Sequence, residues 1–278
     1  MGDVNILFIE VLICLIVIGI CTGFASGLLG VGGGFILTPT LFFLMMGNNV
    51  DSVSALKISL GTSLAIMSPV AVFSSYNHYK NSKFDIKLGL MLGCFGLIGG
   101  LIGGSVAVNS NSEVLRSILG VVLIVISLNM FFKKQKSQRK MINEDLKLDL
   151  KNYFMGGILG LGIGFLSGLF SIGGGIFIIP ILTLFLELDM IEAIKTSTIF
   201  ISITAIGGLI PYLLTNVNTD LVPFLIGYVD IFYLLVVLSF SIPTSYFGVN
   251  LTYKINEKLL KKILALIIIF MSLKLIFS

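Results

Sequence analysis

Charge is what this chain has least of. Asp, Glu, Lys and Arg make up 12% of its 278 residues, against 56% hydrophobic residues, and the mean hydropathy is +1.07. Water-soluble domains carry roughly 25% charged residues. The deficit excludes an ordinary soluble fold and points to an all-α integral membrane protein. Strict apolar/polar alternation is also missing, which excludes a β-barrel. There is one histidine, His78, and it falls outside the apolar runs, in what reads as a solvated basic loop. With few acidic groups besides, an intramembrane enzyme would lack its nucleophile, base or metal constellation. Cys14, Cys21 and Cys94 lie inside apolar runs without CxxC spacing, so they read as small core hydrophobes, with neither disulfide framework nor metal site. The start, MGDVNILFIEVLICLIVIGI, has an acidic lead where a signal peptide has a basic one, and is read as a first retained helix. No cofactor is implied. The net charge of +4 reads as loop charge that orients helices, so no nucleic-acid partner is expected.

What is present is one stretch, twice. GFASGLLGVGGGFILTPTL runs from Gly23 to Leu41, and GFLSGLFSIGGGIFIIPIL from Gly164 to Leu182, a shift of 141 residues. Gly32, Gly33 and Gly34 fall on Gly173, Gly174 and Gly175, and Pro39 falls on Pro180. Around these junctions the chain divides into about ten apolar segments. In the first half they are 5–29, 35–46, 53–76, 88–108 and 115–132; in the second, 153–171, 177–186, 193–214, 221–249 and a last one after 262. The second of each set is a short helix after the glycine break. Between the halves, 1–132 and 152–278, lies a hydrophilic basic linker, 133–151.

Lys and Arg separate cleanly. With a cytoplasmic linker and five crossings per half, Lys80, Lys83 and Lys87 fall inside, as do Lys254, Lys258, Lys261 and Lys262. The turns at 48–51, 109–112 and 216–220 carry neither residue and fall outside. An odd number of crossings makes the halves inverted repeats in the cell membrane. If the short segments are re-entrant, the count becomes four plus four and the repeats parallel.

A triple glycine at membrane depth must face protein or a watery cavity, because lipid cannot satisfy its peptide groups. Placed before a short helix, its amides form a helix N-terminus, with N–H donors and about half a positive charge. Two such ends brought together would hold a small anion without Arg or Lys. Gly32, Gly33, Gly34, Gly173, Gly174 and Gly175 are therefore candidate substrate-binding residues; tight helix packing is the alternative. No GK[ST] follows either run, which excludes a phosphate loop. Gly96, Gly100 and Gly104, and Gly160, Gly164 and Gly168, read as packing stripes.

Thr62-Ser63 and Thr196-Ser197 follow the two junctions and add hydroxyl donors suited to an oxyanion, unless they bond back to their own helices. Lys57 and Lys195 are candidates for a charge role, against snorkelling to an interface. Asp85, at the start of its segment, and Asp230, within its own, echo each other in Phe-Asp-Ile and Val-Asp-Ile. They are read as caps and anchors, with proton binding as the functional alternative.

These residues resemble the TauE/SafE family of sulfite and organosulfur-anion exporters and permeases. The resemblance rests on Gly30 to Pro39, on Ser171 to Pro180, on the Thr-Ser pairs and on the aspartate echo, and covers nearly the whole chain. It implies a membrane transporter of a small anion such as sulfite, thiosulfate or sulfoacetate, with direction unspecified. Two departures concern Ile231, where many members carry Trp, and Ser171, which replaces the leading glycine of the second copy. A passive channel or an accessory membrane subunit stays open as an alternative, as does assembly into a homodimer.

Overall fold

In the computed structural model the described residues are 2–110, 150–184, 186, 188–215, 217 and 222–256, with 259, 262 and 266 beyond them. The expected segment 115–132, nearly all of the linker 133–151 and the last segment after 262 lie outside the described residues.

The elements follow the apolar runs. They are α1 (Gly2–Leu29), α2 (Gly34–Gly47), α3 (Ser52–Asn81), α4 (Ile86–Asn109), α5 (Leu150–Phe170), α6 (Gly175–Leu184), α7 (Met190–Leu214) and α8 (Ile231–Thr252). A small antiparallel hairpin, β1 (Leu225–Ile226) and β2 (Val229–Asp230), precedes α8. Aspartates stand at the N-caps of four helices, and three of them bond a first-turn amide. Asp51 accepts from Ser54 N at 2.9 Å, Asp85 from Lys87 N at 2.8 Å and Asp230 from Tyr233 N at 3.0 Å.

Five described helices are long and apolar enough to cross a membrane: α1 from Ile9, α3, α4, α7 and α8. α2, with 14 residues, and α6, with 10, are not. At 1.5 Å per residue they reach about 21 Å and 15 Å, short of the roughly 30 Å hydrocarbon core. The outer surface is apolar, with Ile9, Ile13, Val17 and Ile20 exposed along α1 and Leu90, Ile98 and Leu101 along α4. The interior is rich in hydroxyls, including Thr22, Ser26, Ser59, Thr62, Ser63, Ser167, Thr196 and Ser197. Lipid-facing side chains outside and small polar ones between helices are the arrangement of an integral membrane protein.

α3 and α7 are the most enclosed of the spanning helices and cross at the centre. α1 lies along α8, and α5 lies along α4. The α4–α5 seam is made by the predicted glycine stripes. A Cβ on Gly164 would collide with the Gly96 carbonyl, and one on Gly168 with the Gly100 carbonyl.

Four expectations are corrected. His78 is not in a solvated loop: α3 continues to Asn81, and His78 is fully buried. Its Nε2 lies 3.1 Å from Gly27 O, which can only accept, so Nε2 donates, while Nδ1 lies 3.1 Å from Tyr253 Oη. Asp230 is not within a helix but caps α8, because the hairpin takes up the residues before it. That hairpin itself departs from a purely helical reading. Cys14, Cys21 and Cys94 face outward on α1 and α4 instead of filling the core.

The seam gives a direct test. Gly164→Val forces α4 and α5 apart and should cost about 1–3 kcal/mol, whereas a Cβ on Gly162 meets nothing within 4 Å. Thermal unfolding of the purified protein should show a lowered Tm for Gly164→Val and an unchanged or raised Tm for Gly162→Ala.

Candidate functional site

The two glycine junctions have the same backbone. Gly32 and Gly33 have φ of 81° and 77°, and Gly173 and Gly174 have 77° and 74°. The leading positions match as well: Gly30 has φ 64°, and Ser171, a non-glycine, is held at 50°. This left-handed path is open to glycine at little cost and strained for most side chains. It turns the chain from α1 into α2 and from α5 into α6. Gly33 is the N-cap of α2 and offers no side-chain cap, and neither α2 nor α6 has an acidic residue in its first turn.

The junctions abut each other. A Cβ on Gly34 would stand 2.6 Å from Ser171 O, and one on Gly175 would stand 2.8 Å from Gly30 O. Gly32 and Gly173 close on the same two side chains, Met67 of α3 and Ile201 of α7. Each glycine is needed here for close approach, which is why the run is doubled and unbroken.

The Thr-Ser pairs lie beside the junctions and bind across them. Ser63 Oγ lies 3.2 Å from Ser171 O and 3.1 Å from Leu60 O of its own helix, and Ser197 Oγ lies 2.7 Å from both Gly30 O and Ile194 O of its own helix, so each hydroxyl proton is shared between the other half's junction and its own helix. Thr38 of α2 joins the first tie, with its Oγ1 2.9 Å from Ser63 Oγ. Ser68 Oγ donates to Ser202 O at 2.9 Å, where α3 meets α7. Ser63 and Ser197, Met67 and Ile201, and Ser68 and Ser202 are all separated by 134 residues. Thr62 Oγ1 accepts from Asp230 N at 2.9 Å, tying α3 to the cap of α8. Thr196 is buried, with its carbonyl 3.2 Å from the position of a Cβ on Gly89 of α4.

The charged candidates are elsewhere. Lys57 and Lys195 each stand six residues after the N-cap aspartate of their helix, Asp51 and Asp189. Lys57 Nζ donates to Val108 O at 2.6 Å, near the negative end of α4, and lies 5.8 Å above the Tyr228 ring. Lys195 is buried, paired with Glu192, 3.4 Å from Ser82 Oγ and 5.2 Å from the Phe84 ring centre. Asp85 is engaged as a cap. Burial pushes the Asp230 carboxyl above the usual carboxylate range, against hydrogen bonds from Tyr233 N and Phe232 N that act the other way. Among the described residues, no group of three His, Cys, Asp or Glu side chains could hold a metal.

Four residues that sequence reasoning did not single out belong to this centre. Ser26 and Ser167 precede the junctions at matching places inside the doubled stretch, so their signal was on the page. Met67 and Ile201 had none, since an apolar side chain in an apolar run is unremarkable.

The elements together define a polytopic membrane protein whose two halves each send one glycine-initiated short helix to a shared centre. Residues 15–275 match the sulfite exporter TauE/SafE family, and the chain belongs to that family. A probable membrane transporter protein of Methanocaldococcus jannaschii is 32% identical over 262 residues, covering 94% of each chain. The probable membrane transporter protein YunE of Bacillus subtilis is 27% identical over 92% of each chain. One from Haemophilus influenzae is 28% identical over 95% of this chain and 97% of its own. No solved structure matches the chain.

If the serine ties hold the junctions together, Ser197→Ala should lower stability by about 1–3 kcal/mol, since Gly30 O loses its donor in a dry interior. The Tm of the purified variant checks this.

Proposed function

We propose that the chain is a secondary transporter of a small anion of sulfur chemistry, such as sulfite or an organosulfonate. The anion is held at the N-termini of α2 and α6. One observation carries this: the two N-termini abut at the protein's centre, with left-handed glycine backbone on both sides and no acidic residue to neutralise either. Helix N-termini are anion sites by their free N–H groups and their dipole. Membership of the sulfite exporter family and the names of the relatives support the anion and transport parts.

Alternating access then comes from rocking of the two halves, 1–132 and 152–278, about the shared centre. The exchange of contacts supports two repeats related by a two-fold axis, with α1 pairing with α8 as α5 pairs with α4, and five crossings per half make those repeats inverted. A two-fold axis between Met67 and Ile201 produces that pattern. The basic linker 133–151 faces the cytoplasm and the protein sits in the cell membrane. Ser63 and Ser197 hold the junctions in the closed arrangement, Thr62 holds the cap of α8, and these hydroxyls with that of Thr196 come free to meet the anion as the halves rock. Lys57, Lys195, Asp85 and Asp230 fix the helix ends that the halves rock upon.

The test is flux of sulfite, thiosulfate and methanesulfonate into proteoliposomes containing the purified chain. Saturable flux of at least one anion is expected, and it should be abolished in Gly33→Val and Gly174→Val variants that remain monodisperse. No flux, or full flux in both variants, overturns the proposal.

A further inference from the structure

Six buried side-chain oxygens among the described residues have no hydrogen-bond partner: those of Ser26, Ser74, Ser167, Ser171, Thr204 and Tyr212. An unpaired buried hydroxyl carries an uncompensated desolvation cost, so such groups are rare unless something fills the place of the partner. Four of the six gather at the glycine junctions. Ser171 is the leading residue of the second junction. Ser26 and Ser167, 141 residues apart, stand one turn before each junction. Ser167 Cβ lies 3.3 Å from where a Cβ would stand on Gly174, directly against the N-terminal turn of α6. Tyr212 Oη and Ser171 Oγ face each other as a weak pair short of full hydrogen-bond geometry, and all four side chains are fully buried.

Among the described residues, the atoms nearest to a Cβ on any of the six junction glycines belong to uncharged residues, Thr22, Met67, Phe200 and Ile201 among them. Lys57 and Lys195 are committed to Val108 O and to Glu192. The positive potential at the centre is thus that of two helix N-termini, about +0.5 each. Their sum balances one negative charge. A second charge on the same small anion stays uncompensated in a low-dielectric interior, where it costs several kcal/mol.

We infer that the site takes oxyanions bearing a single negative charge, a sulfonate group or singly protonated sulfite, and rejects dianions such as thiosulfate and sulfate, with the hydroxyls of Ser26, Ser167, Ser171 and Tyr212 as the donors that complete the shell. The inference rests on the transport site proposed above and adds its charge selectivity and its ligands.

Binding of methanesulfonate, sulfite, thiosulfate and sulfate to the purified full chain, measured by calorimetry across pH, tests it. Methanesulfonate should bind with an affinity independent of pH. Sulfite should weaken about tenfold per pH unit above its second ionisation, as the monoanion is lost. Thiosulfate and sulfate should bind at least about 100-fold more weakly than methanesulfonate. Ser26→Ala and Ser167→Ala should each weaken methanesulfonate about tenfold. Neither should lower the Tm, because each removes a hydroxyl without a partner in the unliganded fold, and a purely structural role would lower it. Thiosulfate binding as tightly as methanesulfonate, but lost in Gly33→Val, overturns the single-charge selectivity while the junction site stands. Unchanged methanesulfonate affinity in both hydroxyl variants overturns the ligand set. Binding that survives in Gly33→Val and Gly174→Val removes the junction site itself, and this inference with it.

Discussion

Peptide groups with no water to turn to are the constraint on which this structure depends. A chain that breaks its helix inside a bilayer must satisfy the freed N–H and C=O groups within the protein, at several kcal/mol for each one left over. Both glycine runs make such a break, and they solve it jointly. The carbonyls of Gly30 and Ser171 are taken up by Ser197 and Ser63 from the opposite half. On the proposed reading, the N-terminal turns of α2 and α6 then supply the donors for an anion at the centre.

The same constraint explains the rest of the packing. Backbones that must approach this closely need small residues, which is why α4 meets α5 through Gly96, Gly100, Gly164 and Gly168. Ties run both within and between the halves: Ser63 meets Thr38 and Leu60 O of its own half as well as Ser171 O of the other, and Met67 and Ile201 stand against both junctions. Charge is kept at the helix ends. Lys57 answers the C-terminal carbonyls of α4, and Asp51, Asp85 and Asp230 answer first-turn amides.

Much of this was legible in the sequence, because glycine runs, prolines and long apolar segments are local signals. The doubled junction, the two short helices after it and the packing stripes follow from the 141-residue repeat and from helical spacing. What was not legible depends on partners distant in sequence. His78 sits among basic residues and reads as a loop, yet Gly27 O and Tyr253 Oη wait for it on two other helices, and α3 runs on to bring it there. Asp230 reads as intramembrane until the hairpin before it is seen to set it at a helix start. The Thr-Ser pairs announce hydroxyls that bond back to their own helices, as Ser63 does to Leu60 O and Ser197 to Ile194 O, but not that a carbonyl of the other half shares each serine. Ser26 and Ser167 are quiet for the opposite reason: their mark is the lack of a partner, which no sequence displays.

The central claim is that one anion sits between the two glycine junctions. Diffraction from crystals grown with selenite, a heavier analogue of sulfite, measured at the selenium edge, tests it most directly. A single anomalous peak between Gly33 and Gly174, within hydrogen-bonding distance of first-turn amides of α2 and α6, is the predicted result. A peak beside Lys57 or Lys195, with none between the junctions, would contradict it.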